Sequence, residues 1–202
     1  MNFIVSFWGL LVERVDFWEV WRGLVPHETV EKVVYVVSQI NSAGYEVPLR
    51  VLVRIFARET GADTSALGSK YVERVKTLMK PRRCVGEFIT QLKKRGKVAV
   101  LSNTPCRCFV KEFLTEAGLE VDMVLTSDVL LRRKPLKSVF KYALAKLGSR
   151  PYEAVYFGDG EEDLGALAAG LFTVMVGHDG GHVSLPSLCE AAKWVSRQLP
   201  QI

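Results

Sequence analysis

Two aspartates four residues apart, Asp159 and Asp163, follow a short apolar run in Ala154-Val-Tyr-Phe-Gly-Asp159-Gly-Glu-Glu-Asp163-Leu-Gly-Ala-Leu-Ala-Ala-Gly170. Hard divalent cations take oxygen ligands, so a carboxylate at a strand end and a second from the following helix suit magnesium. The same residues also read as acidic decoration of a helix N-terminus, complementing its dipole. Elsewhere the chain offers Ser6, Ser102, Asn103 and Lys134, each next to an apolar run or a helix start. A lysine point charge and a serine hydroxyl beside metal-holding carboxylates would hold a phosphate.

Positioning these groups requires a particular order of elements. Val155 to Phe157 is apolar throughout, as a strand covered on both faces should be, and Gly158 allows a sharp turn that projects Asp159 from the strand's carboxyl end. Phe3 to Phe7, Val98 to Leu101, Val121 to Leu125 and Phe172 to Val176 read as four more strands. Apolar stripes at helical spacing lie between them: Val85, Phe88, Ile89, Leu92; Phe109, Val110, Phe113, Leu114; Leu136, Val139, Phe140, Ala143, Leu147; and finally Leu185, Leu188, Ala192, Val195, Leu199. From Val15 to Met79 only helical stripes occur, carried by Val30, Val33, Val34, Val37 and Ile40, then Leu49, Leu52, Val53 and Phe56, then Tyr71, Val75, Leu78 and Met79. This alternation predicts an α/β fold, a Rossmann-like parallel sheet with helices on both faces. Residues 1–13 and 81–202 form it, and residues 14–80 make a small all-helical insert after the first strand. In such a sheet, ligands bind where strand carboxyl ends meet. Ser6, Ser102, Asn103 and Asp159 all end strands, and Lys134 precedes a helix whose first turn Pro135 favours.

With 202 residues and 49% hydrophobic content, the chain has material for one sizeable core. The net charge of +5 comes from short basic groups, such as Lys93, Lys94, Arg95 and Lys97, which read first as solvated helix ends and only second as a nucleic-acid surface. No stretch is long enough to span a bilayer. Phe3 to Val12 lacks a basic region ahead of it and a small-residue cleavage site, so it reads as a strand and places the protein in the cytoplasm. Cys84, Cys106, Cys108 and Cys189 form no zinc-type pair, and free buried thiols are expected. Three Asn and four Gln in the chain hint at a thermophilic source, in which an intracellular disulfide is less out of place. His178-Asp-Gly-Gly-His182 reads as a flexible loop connection in preference to a metal site, and His27 as a helix entry.

Ser102-Asn103 after a strand, Lys134-Pro135 before a helix, and Gly158-Asp159 with Asp163 four on resemble three of the four signature motifs of the haloacid dehalogenase superfamily. The resemblance covers residues 84 to 177, and the helical insert resembles that family's cap. It implies a magnesium-dependent phosphohydrolase scaffold, with Ser102, Asn103 and Lys134 on phosphate and Asp159 and Asp163 on metal. The first motif departs. The family carries two aspartates, two apart, after the first strand: one attacks phosphorus, the other protonates the leaving group. Here Ser6 and Trp8 stand in those places, and Leu10 replaces a threonine. A serine without an adjacent base is a poor nucleophile, and losing a general acid removes about 10²–10⁴ in rate. Asp16 and Glu13 fall past the turn and are weak replacements.

The expectation is therefore a catalytically degenerate family member. It keeps a phosphate- or metal-binding pocket with a weakened magnesium site, and binds a small phosphorylated molecule, another anion or a protein. Two alternatives stand beside it: a magnesium-dependent phosphatase of a small phosphomonoester using an unrecognised nucleophile, and a basic nucleic-acid-binding module.

Overall fold

The computed structural model describes residues 1–198. Its strands are β1 (Asn2–Val5), β2 (Val98–Ser102), β3 (Met123–Thr126), β4 (Ala154–Gly158), β5 (Phe172–Val176) and β6 (Val183–Leu185). Its helices are α1 (Phe17–Arg22), α2 (His27–Ser42), α3 (Leu49–Thr60), α4 (Thr64–Leu78), α5 (Val85–Lys93), α6 (Arg107–Glu116), α7 (Ser127–Leu130), α8 (Lys137–Leu147), α9 (Gly165–Ala168) and α10 (Leu188–Gln198). The strands form one parallel sheet in the order β3-β2-β1-β4-β5-β6, which is the predicted α/β architecture.

Alternation along the strands feeds two hydrophobic layers. Ile4, Ala99, Leu101 and Tyr156 pack on one face with Val139, Phe140 and Leu144 of α8. Phe3, Val5, Val98, Val100 and Phe157 pack on the other with side chains of α5, α6 and α10. The helices α1 to α4 join this second layer, so Trp21, Phe56 and Tyr71 belong to the same continuous cluster as the sheet. Trp21 stacks on Tyr71 with ring centroids 4.1 Å apart and lies 4.4 Å from Phe56.

Several local expectations are corrected. Met123 rather than Val121 opens β3, because Asp122 turns its carboxylate onto the Val98 amide (2.7 Å) and Lys93 Nζ (2.7 Å). Leu185 belongs to β6, a strand too short to leave a pattern in the sequence, and the last helix starts at Leu188; Leu199 lies outside the described residues. Pro135 precedes α8 instead of opening it, since a turn from Arg133 to Leu136 closes first (3.1 Å). Ile40 and Leu78, which spacing placed in apolar stripes, are exposed.

The cysteines are also corrected: they are not free thiols but pair as Cys84–Cys189 and Cys106–Cys108. The first pair is 105 residues apart in sequence and invisible to a spacing argument. Packing of α5 against α10 brings its Cα atoms to 5.2 Å, within reach of a bridge. No helix among the described residues is long and apolar enough to cross a membrane.

Candidate functional site

Lys134 lies at the centre of the sheet's carboxyl edge. Its Nζ contacts Ser6 Oγ at 2.9 Å, Tyr156 OH at 3.1 Å and Asp163 Oδ1 at 2.5 Å. Lys134 is 3% exposed and Asp163 fully buried, so the two charges need each other. Each element has a reason to deliver its group. Ser6 follows β1, Tyr156 points to the α8 side by strand alternation, and Asp163 returns from the turn after β4. Gly158 permits that return, because a Cβ there would lie 2.4 Å from Asp163 Cβ. The Lys134 backbone is fixed by Asn103, which donates from Nδ2 to Lys134 O (3.0 Å) and accepts from Lys134 N at Oδ1 (2.8 Å).

Asp163 is saturated. Oδ1 accepts from Lys134 and from the Tyr156 hydroxyl, and Oδ2 accepts from the amides of Asp159 (2.9 Å) and Gly160 (3.3 Å). Burial opposes its charge, but Lys134 and these donors outweigh burial and hold its carboxyl below the usual carboxylate range. Tyr156, buried beside that carboxylate, has its phenol pushed well above the ordinary value, first by burial and then by Asp163.

Asp159 meets a different cation. Arg14 Nη2 and Nε lie 2.8 and 3.1 Å from Asp159 Oδ2, and Nη1 lies 3.3 Å from Glu162 Oε1. Partial burial works against the guanidinium charge, yet Asp159 and Glu162 more than compensate and raise its pKa. The Asp159 carboxyl is itself pushed up to about 6, by burial first and by Asp163 second, with Arg14 pulling the other way. Oδ1 of Asp159 is buried with no hydrogen-bond partner among the described residues.

The structure thus brings Ser6, Asn103, Lys134, Asp159 and Asp163 to one edge. Ser102 is buried at the end of β2, and its hydroxyl has no partner among the described residues. Trp8 does not join the polar network. Its ring meets Phe7 at 4.9 Å, Phe17 at 5.2 Å and Phe109 at 6.2 Å, and its indole N–H is buried with no partner among the described residues. Arg14 and Tyr156 were missed by sequence reasoning. Tyr156 carries a signal, being the one hydroxylated side chain in an otherwise apolar buried strand; Arg14 carries none beyond following the first loop.

As packed, these groups do not make a magnesium cage. Magnesium asks for near-octahedral oxygen ligation. Asp163 has both oxygens engaged, Asp159 offers one oxygen beside a guanidinium, and Ser6 faces an ammonium. No cluster of three or more His, Cys, Asp or Glu side chains suited to a metal occurs among the described residues. In the His178 to His182 loop, His182 Nδ1 accepts from the Thr173 amide (3.0 Å) and its ring stacks on Phe172, a structural use.

A cavity of about 220 Å³ adjoins the site at Asn103 and Thr104. Phe17, Trp18, Trp21 and Tyr71 give it aromatic lining, and Arg133 and Glu46 line it as well. Glu46 is buried, accepts from Ser127 Oγ (2.6 Å) and pairs with Arg133 (3.4 Å); burial nevertheless raises its pKa.

Residues 24–170 match the family described as haloacid dehalogenase-like hydrolase. Over 118 residues the chain is 36% identical to the ribulose-1,5-bisphosphate 5-phosphatase of Halopiger xanaduensis, an overlap of 56% of this chain. The chain matches about half the length of that curated relative, 49%. Among solved structures, L-2-haloacid dehalogenase from Xanthobacter autotrophicus superposes with a TM-score of 0.70 at 16% identity, covering 98% of both chains. The 2-haloacid dehalogenase of Pseudomonas syringae pv. tomato gives 0.71 at 16%, covering 97% of this chain and 98% of that one. At such identities the likeness speaks for the fold.

Proposed function

Since the chain belongs to the haloacid dehalogenase-like hydrolase family, we propose that it is a member that holds a small phosphorylated ligand at this sheet edge without hydrolysing it. One observation carries the reading: the Ser6 hydroxyl faces an ammonium that is itself paired to Asp163. A serine attacks when a neighbour can take its proton, and an ammonium held by a buried carboxylate has no lone pair to do so. Trp8, in the place of the proton donor, is packed among Phe7, Phe17 and Phe109 and presents only an indole N–H.

The ligand's anionic end is held by Ser102, Asn103 and the positive potential of Lys134 and Arg14, and its organic part enters the cavity beside Trp18 and Trp21. The phosphatase relative supports a phosphorylated ligand class. A cytoplasmic setting belongs to the same reading, and the two disulfides then ask for a source whose intracellular proteins tolerate them. A nucleic-acid surface draws less support, because Lys93 and Arg133 pair with Asp122 and Glu46.

The similarity to a phosphatase favours a second reading, true phosphomonoester hydrolysis through another nucleophile. Calorimetric titration with an aryl phosphate, followed by recovery of the ligand, separates the two. Binding with the ester intact is expected of the protein as it stands, and Ser6→Asp with Trp8→Asp is expected to introduce turnover. Cleavage that disappears in Asp159→Ala would establish the second reading instead.

A further inference from the structure

We propose that Arg14 is a tethered replacement for the divalent cation, coupled to the serine at position 6, so that anion binding at this edge is independent of metal. The inference rests on the proposed non-hydrolytic ligand site.

Three observations converge on it. The guanidinium grips Asp159 Oδ2 with two nitrogens and reaches Glu162 with the third. Secondly, the backbone is shaped around that side chain. Gly9 sits at φ +88, and a Cβ there would lie 2.8 Å from Arg14 Nε and 1.8 Å from Asp159 Oδ2. A Cβ at Gly160 would lie 2.3 Å from Arg14 Nη2. Glycines in two separate loops therefore leave room for the guanidinium. Thirdly, Asp163 has no oxygen left to share, since Lys134, Tyr156 and two amides take both.

Charge bookkeeping explains why Arg14 and Ser6 belong together. A dication with an aspartate at position 6 leaves one net positive charge at this edge, and so does the Arg14 guanidinium, held by Asp159, with the neutral Ser6 hydroxyl, held by Lys134. Exchanging both at once preserves the potential that an incoming oxyanion meets, whereas exchanging either alone would not. The Arg14 side chain is about half exposed, 52%, and retains N–H groups beyond those given to Asp159 and Glu162. Those groups can donate to a phosphate oxygen directly, in the bidentate manner that suits a guanidinium.

The test compares four proteins: wild type, Arg14→Gln, Ser6→Asp, and the double variant. Manganese binding is read from the ion's paramagnetic resonance signal, and inorganic phosphate binding from thermal shift in chelator or in magnesium. Wild type is expected to ignore manganese, and the double variant to bind it more tightly by about 10- to 100-fold. The two single variants should fall short of the double by more than their separate effects predict. Manganese binding by wild type as tight as by the double variant overturns the inference. Wild type should be stabilised equally by phosphate with or without magnesium; a shift that vanishes in chelator also overturns it. If phosphate gives no shift in either condition while manganese is still refused, the phosphate-ligand reading fails and the cation replacement stands. The wild-type measurements require no variant to fold.

Discussion

The ends of β1 and β4 leave the same edge of the same sheet and are built from opposite materials. After β4, Asp163 and the Lys134 ammonium are tied to Tyr156, Ser6 and two backbone amides, and Asp159 is tied to Arg14. After β1, Trp8 lies among aromatic rings, and Phe7 packs edge-on to Phe113 at 5.4 Å. The difference teaches that polar residues at a sheet edge can serve the fold itself. Lys134 and Asp163 form a buried pair that joins β1, β4 and the segment before α8, whatever chemistry takes place above it.

Breaking the polar side should produce the largest effect. Lys134→Met leaves Asp163 buried without its cation and should cost about 3–5 kcal/mol by urea denaturation, whereas Lys134→Met with Asp163→Leu should cost less than the single change. An equal or smaller cost for the single change would mean that the pair does not organise the edge. On the apolar side, Trp8→Ala should cost about 3 kcal/mol through lost burial and a residual cavity. A near-neutral result would show the ring to be a loose lid over the site instead of part of its floor.

The bridge between α5 and α10 sharpens the comparison from outside the site. Its 105-residue separation predicts that Cys189→Ser lowers stability by about 2–4 kcal/mol, with the ligand affinity of the edge unchanged. A pH-dependent effect separates the two aspartates. Burial, then Asp163, raises the Asp159 carboxyl from 3.8 to about 6, so the folded protein holds that proton more tightly than the unfolded chain. Stability from this group is therefore greatest at low pH and is lost as pH rises from about 4 to 6. Asp163 has the opposite sign: its depressed carboxyl contributes stability that is lost as pH falls through its folded value below 3.8. Stability should rise on acidification from neutral pH and then fall, and Asp159→Asn should flatten only the upper limb.

The sheet was legible because Phe3 to Phe7, Val98 to Leu101 and Phe172 to Val176 are apolar runs with turn residues at their ends. β6 was not, since three residues carry no periodicity, and neither was the Cys84–Cys189 bridge, which depends on how two distant helices pack. Of the polar groups at this edge, Asp159, Asn103 and Ser102 are marked in the sequence by residue type at a strand end, Asp163 by its spacing from Asp159, and Lys134 by its place before a helix. Arg14 could not, because a guanidinium reaches several ångströms from its backbone and nothing in its neighbours says which carboxylate it will meet. Tyr156 left a weaker trace, as the one hydroxyl-bearing side chain in a strand that composition describes only as hydrophobic.

The most direct test is the release of inorganic phosphate from a panel of small phosphomonoesters by the purified, unaltered chain with magnesium present. The Lys134–Ser6 contact and the packed indole predict no release above the buffer rate, with esters that bind recovered whole. Sustained, metal-dependent release that is lost in Asp159→Ala would contradict the account.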